Sequence, residues 1–192
     1  MIPPGCSTEF KKVCDRLSEL HSDWKMFRYL FADHPEHFNV FNEIDPEFFL
    51  KVQSLFNERV CMFLCRLGDP AKQRRNTNLT LESLLDTSAE TDASVKTALE
   101  PLLEDFRAST KKFRDLRNKY YGHYDRESEL GPTRALFSRA EVETALRALR
   151  EFMNGFRLHF GESRMMYEHV VTNSNGEGLM WALRQSEVNA DG

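Results

Sequence analysis

The stretch STEFKKVCDRLSELHSDWKMFRYLF, residues 7 to 31, sets Phe10, Val13, Leu17, Leu20, Trp24, Phe27 and Leu30/Phe31 at steps of three and four. On a helix of 3.6 residues per turn that spacing forms one apolar stripe, so it predicts a single amphipathic helix. Asp33-His34-Pro35 ends it. Beyond this break the same period resumes. Asp45-Pro46 predicts an N-cap followed by a proline at the first helical position. Phe49, Val52, Leu55/Phe56, Val60, Phe63/Leu64 and Leu67 then make a second stripe, closed by Gly68 and Pro70.

Residues 68 to 91 read as a polar loop with a basic patch (Lys72, Arg74, Arg75) and one short helical turn around Leu81 to Leu85. A third helix carries Val95, Leu99, Leu102/Leu103, Phe106, Phe113, Leu116 and Tyr120. Pro101 is expected to kink it or restart it near Glu100, because proline has no N–H for the ladder. Ser138-Arg139-Ala140-Glu141 is a capping box opening a fourth helix through Val142, Leu146, Leu149, Phe152/Met153 and Phe156 to Gly161. A short extension follows residue 162, with an Asn-Ser-Asn-Gly turn and an apolar piece from Leu179 to Leu183. No strand pair and no repeat is expected. The pattern predicts one all-α domain over residues 1 to 192, a compact four-to-five-helix bundle.

Composition agrees with a globular chain. Of 192 residues 41% are hydrophobic and 29% charged, and fifteen Phe, five Tyr and two Trp supply bulk for a core. The longest unbroken apolar run, Val60 to Cys65, falls far short of the roughly 20 residues that span a bilayer. Met-Ile-Pro-Pro-Gly at the start has neither the basic nor the apolar region of a signal peptide. The expectation is a cytoplasmic protein without a membrane segment. Cys61 and Cys65, four apart on one helix face, lack the further donors of a zinc site. With Cys14 they read as small reduced core residues.

Several chemistries are excluded by motif. The sequence has no glycine-rich phosphate loop, GxSxG, HExxH or EF-hand loop, and no paired Glu-x-x-His for a di-iron site. His34-Pro35-Glu36-His37 offers two imidazoles but reads as a solvated loop. Neither a cofactor nor a metal is expected.

Charge singles out one segment. The total is −4, yet Arg107 to Arg126 holds seven basic residues against Asp115 and Asp125. This basic island contains Arg114-Asp115-Leu116-Arg117-Asn118-Lys119-Tyr120-Tyr121-Gly122-His123-Tyr124-Asp125. On a continuous helix Arg117 and His123 would lie about 120° apart, but Gly122 can end the helix and let His123 fold back. Arg117 follows Phe113 by four and so borders the apolar stripe. A guanidinium there needs a polar partner, an anion or a second subunit. Bland readings stand beside this one: a helix-end ion pair of Arg117 with Asp115, Asp125 or a Glu, and a His123 that complements the helix dipole. Tyr120 reads as core and Lys111-Lys112 as a solvated face. Arg16/His21, Arg28/His34 and Arg164/His169 have comparable spacing.

The run Leu-Arg-Asn-Lys-Tyr-Tyr-Gly-His-Tyr-Asp (116–125) resembles the R-x4–6-H signature of the HEPN superfamily, all-α bundles that are often metal-independent RNases. Trp24 to Phe31 resembles the first helix of its abortive-infection, AbiU-like branch. Cys65-Arg66-Leu67-Gly68-Asp69-Pro70, with Asn78-Leu79-Thr80-Leu81 and Leu84-Leu85, resembles the loop of that branch. The resemblance implies an endoribonuclease of the defence or toxin kind, with Arg117, His123 and Asn118 catalytic at a homodimer cleft. Arg117 would hold phosphate oxygens, Asn118 would bond phosphate or orient the histidine, and His123 would move protons near neutral pH. Lys112, Arg114 and Lys119 would then meet phosphates, and Tyr121 and Tyr124 would stack on bases. RNA, a second copy and an antitoxin or regulatory protein are the expected partners. Two alternatives remain: a non-catalytic HEPN module binding RNA, a nucleotide or a protein, and a helical interaction protein whose Arg–His pair is structural. In HEPN toxins silenced by a nucleotidyltransferase a tyrosine follows the histidine by two. Here that position is Asp125.

Overall fold

The computed structural model describes residues 1–121, 126, 137–169 and 176–190, the last five without their side chains. Helices are α1 (Pro4–Phe31), α2 (His37–Ile44), α3 (Pro46–Gly68), α4 (Leu81–Ala89), α5 (Ser94–Ser109), α6 (Lys111–Leu116), α7 (Arg139–His159) and α8 (Glu177–Ala190). A π-helical turn, Arg117–Tyr121, continues α6. The chain is all-α, as its periodicity predicts. Among the described residues no helix is long and apolar enough to cross a membrane.

Backbone contacts group the chain into two compact units. Met1–Leu17 and Cys61–Tyr167 form the first; Ser18–Val60 and Glu168–Gly192 form the second. In the first, Phe10 and Val13 of α1 share a buried core with Leu84 of α4, Phe106 of α5, Phe113 of α6 and Leu149 and Phe156 of α7. Phe10 stacks on Phe156 with ring centroids 5.1 Å apart. Burying each such side chain contributes about 1.5–3 kcal/mol. Helix α5 packs along α7. Gly155 permits it, because a Cβ there would lie 2.6 Å from Leu102 Cδ1.

The second unit has its own aromatic core. Trp24 stacks on Phe27, and Phe41 of α2 stacks on Phe49 of α3 at 4.0 Å. Arg59 of α3 reaches Asp23 and Glu19 of α1, each at 2.6 Å. Burial pushes the Asp23 carboxyl up, and the Arg59 guanidinium only partly offsets it.

The caps follow the sequence closely. Asp45 accepts the Phe48 N–H at 3.0 Å, Ser138 and Glu141 form the reciprocal capping box, and Gly161 ends α7 at φ 72°. Elsewhere the elements differ from expectation. α1 starts at Pro4 rather than Ser7, with the proline in the position its fixed φ favours. The break at Asp33-His34-Pro35 is followed at once by α2, which buries His37, Val40 and Phe41. α4 has nine residues, and α8 extends well past the expected apolar piece. α5 runs through Pro101, and the interruption comes instead at Thr110. The expected absence of strands also needs correction. Lys72–Gln73 and Asn76–Thr77 pair antiparallel around Arg74, which takes φ 56° without glycine's help. Both strands are fully exposed, so no alternating apolar pattern announces them.

Candidate functional site

The α5–α6 joint prepares the site. Thr110 is wholly buried; its hydroxyl donates to the Phe106 carbonyl at 2.9 Å and accepts from Arg114 Nη1 at 2.8 Å. Arg114 Nη2 donates to the Arg107 carbonyl at 2.6 Å. One guanidinium thus satisfies groups freed where the helix breaks, the shortage every helix end faces. Gly68, at the end of α3, lets the joint approach: a Cβ there would lie 3.3 Å from Phe106 and 3.6 Å from Arg114.

Past the joint, Phe113 and Leu116 are buried and Arg117 lies beside them, half-buried, at the first position of the π turn. Such turns are rare and often sit at functional sites. Arg117 Nη1 donates to both oxygens of Asp69, at 2.7 and 2.8 Å, and Nε donates to Asn118 Oδ1 at 3.2 Å. Nη2 has no partner among the described residues. Burial works against the Arg117 charge, but Asp69 outweighs it and holds the guanidinium above its ordinary pKa. Beneath the pair, the buried Cys61 thiol donates to the Phe113 carbonyl at 3.3 Å. The neighbouring Cys61 side chain, helped by Arg117, holds the Cys65 thiol below its ordinary pKa.

The loop carrying Asp69 is itself clamped. Asn78 donates through its amide side chain to the Pro70 carbonyl at 3.0 Å and through its backbone N–H to the Ala71 carbonyl at 2.8 Å. Glu82 accepts the Ala71 N–H at 2.6 Å. The Gly68-Asp69-Pro70 and Asn78-Leu79-Thr80-Leu81 pieces, 48 and 39 residues before Arg117, therefore act as one device that presents a carboxylate to it.

The other expected site residues divide into groups. Lys112 pairs with both oxygens of Glu141 at 2.9 and 3.0 Å, and Arg107 pairs with Glu82 and Glu104. Much of the basic island is thus engaged within the molecule. Asn118 and Lys119 are exposed, and Tyr120 and Tyr121 are half-buried. His123 and Tyr124, with Gly122 and Asp125, lie outside the described residues. Of the rival pairs, Arg16/His21 sits on the unbroken α1; Arg28 pairs with Asp33 and His34 with Glu36; Arg164 pairs with Glu151. Asp69 is the partner that the sequence reading of Arg117 missed. Its signal was the Gly-Asp-Pro loop itself, a carboxylate fixed where a helix ends.

The all-α fold is the one that the HEPN resemblance implies. The HEPN_AbiU2 family, described as AbiU2, matches over residues 10–177, and the chain belongs to it. No curated protein and no solved structure matches the chain.

Proposed function

We propose that this protein is a metal-independent endoribonuclease of the defence or toxin kind, acting as a homodimer through Arg117 and His123. Family membership supports the class. The observation that carries the reading is the Arg117 side chain: fixed on Nε by Asn118 and on Nη1 by Asp69, with Nη2 unpartnered among the described residues and so open to an incoming phosphate. A guanidinium held before substrate arrives loses little freedom on binding and stabilises charge building on the phosphate oxygens.

In this reading the ribose 2′-oxygen attacks its own phosphodiester. His123 of one protomer takes the 2′-hydroxyl proton, the bond from phosphorus to the 5′-oxygen breaks, and the partner subunit's His123 protonates that oxygen. The products are a 2′,3′-cyclic phosphate and a 5′-hydroxyl. Each proton transfer by a positioned histidine contributes about 10²–10⁴-fold. Two copies supply base and acid together. Lys119 is exposed beside Arg117 and Tyr121 flanks it, the positions for further phosphate and base contacts.

The alternative is a module that binds RNA, a nucleotide or a protein without cutting. Parallel binding and cleavage assays on Arg117→Ala and His123→Ala separate the two. Under the nuclease reading both variants stop cleaving, and His123→Ala still binds RNA. Binding that needs Arg117, from a wild type that never cleaves, favours the module.

A further inference from the structure

We propose that His34, Glu36 and His37 form a zinc-binding site at the joint of α1 and α2. The inference does not rest on the nuclease reading. The four residues His34-Pro35-Glu36-His37 make a turn closed by a hydrogen bond from the His37 N–H to the His34 carbonyl at 3.0 Å. Proline takes the second position, where its fixed φ suits the turn. The turn brings its first and fourth residues side by side: the imidazoles of His34 and His37 stack with centroids 4.9 Å apart and 26° between planes.

One donor atom from each of the three residues lies within 4.8 Å of the other two. His34 Nδ1 and Glu36 Oε1 are 3.2 Å apart. Two ligands at about 2.0–2.1 Å from zinc in a tetrahedron are separated by roughly 3.3 Å, so this edge already has the required length.

His37 supplies the independent observation. Its side chain is 1% exposed, and its Nδ1 has no hydrogen-bond partner. Orphaned buried polar atoms are rare and call for an explanation. With its Nε2–H directed to the Leu30 backbone, the ring presents Nδ1 as a bare lone pair. Metal-binding histidines are oriented by such a bond from the second ring nitrogen. Tyr29 packs against both rings and holds them in place. His34 is half-buried and Glu36 exposed, which gives an ion a way in.

Two imidazoles and one carboxylate suit zinc over magnesium or calcium, which take oxygen ligands. Three protein ligands leave a fourth position for water. Bound zinc would staple the end of α1 to the start of α2.

The test uses the full chain, freed of metal by a chelator and then titrated with Zn²⁺ by calorimetry. One zinc per chain and a higher melting temperature are expected. His34→Asn and Glu36→Gln, both on the open side of the site and so compatible with folding, should each weaken binding at least tenfold. Their double variant should melt at the same temperature with or without zinc. Co²⁺ in place of zinc should give a tetrahedral visible spectrum without a thiolate charge-transfer band. No stoichiometric binding overturns the proposal. So does binding unchanged in the double variant, or a thiolate band, either of which would put the ion elsewhere, with Cys61 and Cys65 the first alternative.

Discussion

Asp69 meets Arg117 through both carboxylate oxygens on a single guanidinium nitrogen, and the side chains of both residues are about a fifth exposed. A carboxylate so placed either positions the arginine or competes with phosphate for it. That Nη2 has no partner among the described residues favours positioning. Asp69→Asn keeps an acceptor but drops the charge, and the expected result is a roughly tenfold fall in kcat with a smaller change in KM, since slight misplacement of a binding group costs turnover. Faster cleavage by Asp69→Asn would show that the aspartate competes instead. Asp69→Ala removes the acceptor altogether. It should destabilise the fold by about 1–3 kcal/mol in chemical denaturation, because a part-buried cation loses its partner. One sequence could show that Arg117 needed an anion, because it borders an apolar stripe. It could not show which: Asp69 is 48 residues away, and Asp115 and Asp125 looked nearer.

At the scale of elements, the long helices were legible because their stripes are long and their caps are local. Asp45, Ser138 with Glu141, and Gly161 each announce an end within a few residues. Thr110 gave no such notice. A threonine bonding back to the carbonyl four residues before it looks, in sequence, like any helical threonine. What turns it into a joint is Arg114, folding back over the break. Pro101 drew attention because its missing N–H is visible in the sequence, yet α5 passes through it. Thr110→Val preserves shape and removes the hydroxyl. The Phe106 carbonyl loses a donor and Arg114 Nη1 an acceptor, so a loss of about 1–3 kcal/mol is expected by urea denaturation. An unchanged midpoint would mean that the clasp carries no stability. The strand pair and α2 went unread because one is fully exposed and the other is only eight residues long.

For the molecule as a whole, charge and site point the same way. A chain of net −4 does not hold RNA by bulk attraction, and much of its basic island is already paired with Glu82, Glu104, Glu141 and Asp69. Under the proposed nuclease reading, RNA contact would rest on a few exposed cations and on Arg117, a more selective arrangement than a polycation. Selectivity of this kind fits a composite cleft. Light scattering of the purified chain should give the mass of a dimer. Mixing inactive Arg117→Ala and His123→Ala protomers should restore no cleavage, because their heterodimer holds a single His123; restored cleavage, or full activity from a proven monomer, would contradict the two-histidine scheme.

The most direct measurement is incubation of labelled RNA, a tRNA pool and a structured transcript, with wild type and His123→Ala in the presence of EDTA. The account predicts cleavage by wild type alone, with 2′,3′-cyclic phosphate ends. Equal cleavage by both proteins, or none by a folded dimeric wild type, would contradict it.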